Sequence, residues 1–97
     1  MIEYRLLPPA EEEMTEAALF YEAAKPGLGD LFLDDIQRAI DTIRERPHLG
    51  IAVAHGFRRA LIRRFPFSLI YAVDGEEIVV IAVAHQRRSP SYWKDRV

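Results

Sequence analysis

The chain has 97 residues, 49% of them apolar and 29% charged, which allows one domain around one modest core. It has no cysteine, so disulfides, thiolate nucleophiles and cysteine-based zinc sites are excluded, in keeping with a reducing cytoplasm. The net charge of −2 conceals a division: residues 1–57 hold 11 acidic and 5 basic side chains, whereas residues 58–97 hold 4 and 8. The second half therefore suits an anionic partner such as nucleic acid or an acidic peptide, or pairing with the acidic first half.

The N-terminus lacks the basic start and long apolar run of a signal peptide. Ile2, Tyr4 and Leu6 alternate with Glu3 and Arg5, which predicts a strand over Ile2–Leu7 with one buried face. Pro8-Pro9 ends it and suits a first helical turn, and Glu11, Glu12 and Glu13 sit where the helix dipole favours negative charge. The helix so opened runs to about Ala24, with Met14, Ala17, Ala18, Phe20, Tyr21 and Ala24 roughly on one face. Lys25-Pro26-Gly27 breaks it.

A second helix over Leu28–Arg46 carries the clearest pattern. Leu28, Leu31, Phe32, Ile36, Ala39, Ile40 and Ile43 form one stripe, while Asp30, Asp34, Asp35 and Asp41 are read as a solvated face. Pro47 stops the helix. The short break between the two helices implies an antiparallel hairpin. Strands are expected over 57–65, 67–73 and 77–84, with Asp74-Gly75 as the turn between the last two. Ile78-Val79-Val80-Ile81 is apolar without alternation, as in a central strand covered on both faces. The longest apolar run, Ile78–Ala84, is too short to span a bilayer. The expected fold is α+β, of order β-α-α-β-β-β, with the helical hairpin on one face of a mainly antiparallel sheet.

Two groups of side chains carry possible chemistry. The first follows the last strand: His85, Gln86, Arg87, Arg88, Ser89, Tyr92 and Trp93. Histidine moves protons near neutral pH, arginine grips phosphate, and tyrosine and tryptophan stack on bases. The same residues equally describe a surface tail that Trp93 anchors to the sheet. The second group is Arg58-Arg59 and Arg63-Arg64. On a continuous strand, alternation places Arg59 and Arg63 on one face and Arg58 and Arg64 on the other. They read as an anion-binding edge or as charges that discourage edge pairing. His48, His55 and His85 are too dispersed to suggest a metal site, and the chain has neither a glycine-rich phosphate loop nor a nucleophile elbow.

Four segments in order resemble the toxins of the RelE/ParE superfamily of bacterial type II toxin–antitoxin modules: YEAAKPGLGDLFLDDI, the helix stop ERPHLG, the hairpin FRRALIRRFPFSLIYAVDGEEIVVIAVAH, and the ending HQRRSPSYW. The resemblance implies a cytoplasmic toxin, without cofactor or metal, held by a cognate antitoxin. It implies one of two targets, DNA gyrase in the ParE branch or ribosome-bound mRNA in the RelE branch; a third possibility is an inactive module of the same fold. The catalytic positions of RelE-like enzymes fall on Arg59, Leu61, Ser68, Arg87 and the Tyr92–Trp93 pair. Only Arg87, and in part Arg59, keeps the expected chemistry, which brings the chain closer to the ParE and plasmid-stabilisation branch. Candidate catalytic residues are thus Arg87, Tyr92, His85 and Arg59. Candidate contacts to a target or anion are Arg63, Arg64, Arg87, Arg88 and Trp93. Phe20, Tyr21 and Leu28 are candidate antitoxin anchors.

Overall fold

A computed structural model describes residues 2–97. Strand β1 (Glu3–Leu6) leads into helix α1 (Pro8–Ala24), then α2 (Leu28–Glu45), β2 (Ile51–Ala52), a single 3-10 turn, β3 (Arg58–Leu61), β4 (Phe67–Asp74) and β5 (Glu77–His85). The sheet order is β1-β5-β4-β3-β2, with β1 parallel to β5 and every other pair antiparallel. The chain order is the expected β-α-α-β-β-β with the short β2 added, and the helical hairpin lies on one face of the sheet.

The hairpin closes tightly because of its break sequence. The Glu22 carboxylate on α1 accepts the backbone N–H groups of Gly27 and Gly29, which would otherwise be orphaned at the start of α2. A Cβ on Gly29 would lie 2.6 Å from the Ala18 carbonyl oxygen, so only glycine permits this approach. At the other end of α2, the Tyr71 hydroxyl donates to Pro47 O at 2.8 Å and accepts from Gly50 N at 3.0 Å. A Cβ at position 50 would lie 2.6 Å from that hydroxyl. The Pro-x-x-Gly stop is therefore shaped around a buried tyrosine.

Two apolar layers flank the sheet. On the helix side, Phe32 and Ile36, Ile40 and Ile43 of α2 pack with Ala10, Ala17 and Ala18 of α1 on Leu69, Tyr71, Ile78, Val80 and Val83. Phe32 meets Phe65 and Phe67 edge-on, each at 5.2 Å between ring centres. On the back, Phe57, Ile70, Val79, Ile81, Ala82 and Ala84 pack with Trp93. A bulge makes this possible: Ile70 pairs with Ala82 and Tyr71 with Val80, so Ile81 is the extra residue and both Ile81 and Ala82 face the back.

Three local expectations change. Strand β3 stops at Leu61 rather than Phe65, because residues 62–66 turn back toward Phe67, with the Ile62 N–H bonded to Phe67 O. The face assignment of Arg63 and Arg64 by strand alternation therefore lapses. The two-residue β2 was not foreseen; it pairs Ile51 with Arg59 and Ala52 with Arg58. Leu31, placed on the buried stripe of α2, is 42% exposed.

Candidate functional site

The residues after β5 fold back over the sheet's rear face. The Gln86 N–H donates to Pro66 O, and the N–H groups of Arg87 and Arg88 donate to His85 Nδ1 and His85 O, so the chain reverses at the strand end. Successive turns then carry Trp93 into the rear layer, where its ring centre lies 5.6 Å from that of Phe57 and only 3% of the residue is exposed.

A single carboxylate fastens this tail. Strand β1 covers β5 only as far as Val80. Beyond it the β5 edge would present unpaired backbone groups. Glu13 on α1 accepts the Val83 N–H at 3.1 Å, and Arg96 donates to Ile81 O at 3.1 Å, so two side chains stand in for the missing strand. Glu13 also accepts from Arg96 at 2.8 and 3.0 Å and from the Tyr92 hydroxyl at 2.6 Å. Burial alone would raise the Glu13 pKa, but the hydrogen bonds from Arg96, Tyr92 and Val83 outweigh it and hold the carboxyl below its usual value. Arg88 adds a looser ion pair at 3.7 Å and lies over the Tyr92 ring, 3.8 Å from its centre.

The second clamp lies on the helix side. Asp35, expected on a solvated face of α2, is buried with its side chain fully covered. The Arg64 backbone N–H, Nε and Nη2 all donate to it, the closest at 2.8 Å. The Arg64 hydrogen bonds lower the Asp35 pKa against the opposing effect of burial. This pair ties α2 to the turn between β3 and β4, and it explains why that segment leaves the sheet.

The candidate residues consequently separate. The Tyr92 hydroxyl donates a hydrogen bond to Glu13, and burial together with that carboxylate raises its pKa, so it keeps its proton and is no base near neutral pH. Arg64 is committed to Asp35 and Arg88 to Glu13 and the Tyr92 ring. Arg87 is exposed at the turn. Arg63 lines a groove between α2 and the β2–β3 edge, beside Leu49, Ile51 and Leu61, all more than half exposed. Arg59, His85, Arg88 and Trp93 share a different cleft on the rear face. Phe20 is 69% exposed and borders a groove with Tyr21, Phe67 and His85, whereas Leu28 is half-buried against the helix-side core.

Glu13 and Asp35 are the two organising groups that the sequence reading missed. Both carried a signal. Asp35 lies three residues after Phe32 and Glu13 three after Ala10, on the buried stripes of their helices, where an acid needs a partner.

The sequence profile described as ParE toxin of type II toxin-antitoxin system, parDE, matches residues 4–90. No curated protein matches the sequence significantly. Among solved structures, the fold is similar to a chain of the chromosomal ParDE TA system from P. aeruginosa. The TM-score is 0.66 at 18% identity, with 88% of this chain and 96% of that chain covered.

Proposed function

Because the chain belongs to the ParE toxin family of type II toxin–antitoxin systems, we propose that it acts in the cytoplasm by binding and blocking DNA gyrase, and that a cognate antitoxin neutralises it. The observation that carries the choice of blocking over cutting is the Glu13–Tyr92 contact. RNA cleavage by general acid–base chemistry needs one group to take a proton from the 2′-hydroxyl and another to protonate the leaving oxygen. The Tyr92 proton is tied to a carboxylate, and positions 61 and 68 hold leucine and serine rather than cations. What the tail and its neighbours do present is a set of outward cations, Arg59, Arg63 and Arg87, on a rigid support. Such a surface suits recognition of an acidic protein face.

The antitoxin reading is supported by apolar side chains left on the outside. Leu19 and Phe20 on α1 and Leu31 and Leu33 on α2 are each more than a third exposed, a pattern that fits the apolar face of a partner helix. In a supercoiling assay with purified gyrase, the chain is expected to inhibit, and Arg87→Ala to weaken inhibition. Absence of inhibition at large molar excess refutes the gyrase reading. New mRNA ends on induction would instead establish the ribonuclease reading.

A further inference from the structure

The cleft behind the sheet has a volume of about 530 Å³, within the range of small-ligand pockets. Its polar lining is unusual. Ser68 and Trp93 are each 3% exposed, yet among the described residues neither the serine hydroxyl nor the indole N–H has a protein hydrogen-bond partner. Every fully enclosed side-chain nitrogen or oxygen among those residues does have one. The Ser68 Oγ and the Trp93 Nε1 must therefore open onto accessible space, and the cleft they line is that space. The His85 ring lies against Phe67, 5.1 Å between ring centres, and is no donor to the cleft. Among the described residues, Arg59, exposed at the cleft, has no carboxylate partner, and no acidic side chain lines the cleft. Leu61, Ile70 and Ala84 form apolar walls, which strengthen any charge-assisted hydrogen bond made between them.

Unpartnered donors from β3, β4 and the tail, converging without a carboxylate, are the requirements for holding an anion with oxygens on several sides. We propose that this cleft binds the phosphoryl group of a small phosphorylated metabolite, with Arg59 supplying charge and Ser68 and Trp93 supplying hydrogen bonds. Arg88, the other guanidinium at the cleft, is engaged with Glu13. One uncommitted guanidinium matches a single phosphoryl group and is too few for a polynucleotide, which needs a track of cations with stacking faces. Arg59 is shared with the proposed gyrase surface, but phosphate binding is read without gyrase, so the failure of either reading is distinguishable from that of the other.

Trp93 is the only tryptophan, so its emission reports on the cleft directly. The purified full chain should be titrated with inorganic phosphate, glucose 6-phosphate and adenosine 5′-monophosphate, with chloride at matched ionic strength as control and calorimetry in parallel. The expected result is saturable binding of the phosphate compounds. Ser68→Ala and Arg59→Ala should each weaken it by about tenfold or more, the loss typical of a hydrogen bond to a charged group. Lys25→Ala, exposed at the break between the helices, should leave it unchanged. Far-ultraviolet dichroism of each variant verifies folding. No saturable response by either method overturns the proposal, as does an equal response to chloride or unaltered binding by both cleft variants. An RNA oligonucleotide that binds where the phosphate compounds do not overturns it in favour of a polynucleotide site.

Discussion

The two faces of the sheet are covered by unlike means. Two helices seal one face with an aromatic and aliphatic layer in which Phe32, Ile36 and Ile40 are at most 2% exposed. The other face is closed by the last dozen residues, which contribute one large anchor, Trp93, and leave a cleft beside it. Each cover is fixed by one acid on a helix that reaches a distant arginine: Asp35 to Arg64 at the helix side, Glu13 to Arg96 at the tail. The difference teaches that dense apolar packing and open polar surface are divided between the faces. The helix side has the packing that resists unfolding, and the tail side has the donors and cations that remain available.

The sharpest way to break this comparison is to remove one element from each cover. Phe32→Ala should cost about 3–5 kcal/mol of global stability, read as a lower urea midpoint, because it empties an enclosed aromatic layer. Asp35→Ala should cost about 2 kcal/mol by the same measurement; it removes several hydrogen bonds, but Arg64 is half exposed and can rehydrate. Glu13→Ala should lower the midpoint less, by about 1 kcal/mol, while hydrogen exchange in residues 89–97 accelerates and Trp93 emission shifts to the red. If Glu13→Ala instead unfolds the protein as thoroughly as Phe32→Ala, the two covers are not separable.

Acid should act on both clamps. The carboxyls of Glu13 and Asp35 are held below their ordinary values of 4.5 and 3.8. In that range the unfolded chain binds more protons than the folded one, so their contribution is complete above about 4.5 and is lost as the pH falls through the lowered folded values. Urea midpoints measured from neutral pH downward should be level and then decline; a decline already complete above pH 5 would assign the effect to other groups. The smallest effect belongs to Ser68→Ala. Its hydroxyl has no protein partner among the described residues, so stability should change by less than about 0.5 kcal/mol. A larger loss would mean that the hydroxyl has a structural role.

Much of the frame was legible because it depends on periodicity. The stripe of α2, the Asp74-Gly75 turn and the unalternated Ile78–Ile81 run all correspond to observed elements. The shortened β3 was not legible, because it is set by Asp35 drawing Arg64 out of the sheet, a contact across 29 positions that no local pattern records. The site was less accessible still. The tail was identified as the place of interest, but which of its cations are committed depends on Glu13 and on the open edge of β5, and both emerge only from the topology. Tyr92 and Arg88 look alike in sequence with or without that carboxylate. Ser68 stood out in the chain only as a missing arginine, whereas in space it is a donor at the floor of a cleft.

The parallel pairing of β1 with β5 has a consequence for how the molecule comes into being. Glu3 faces Glu77 and Leu6 faces Val80, so the first strand has no neighbour in the sheet until β5 has been made. Contacts so far apart in sequence form late and slow the approach to the native state. Strand β5 also joins β1 to the rest of the sheet, and its outer edge is finished by Arg96. A fragment that ends before β5 therefore lacks the strand that joins β1 to the rest of the sheet and contributes to both apolar layers.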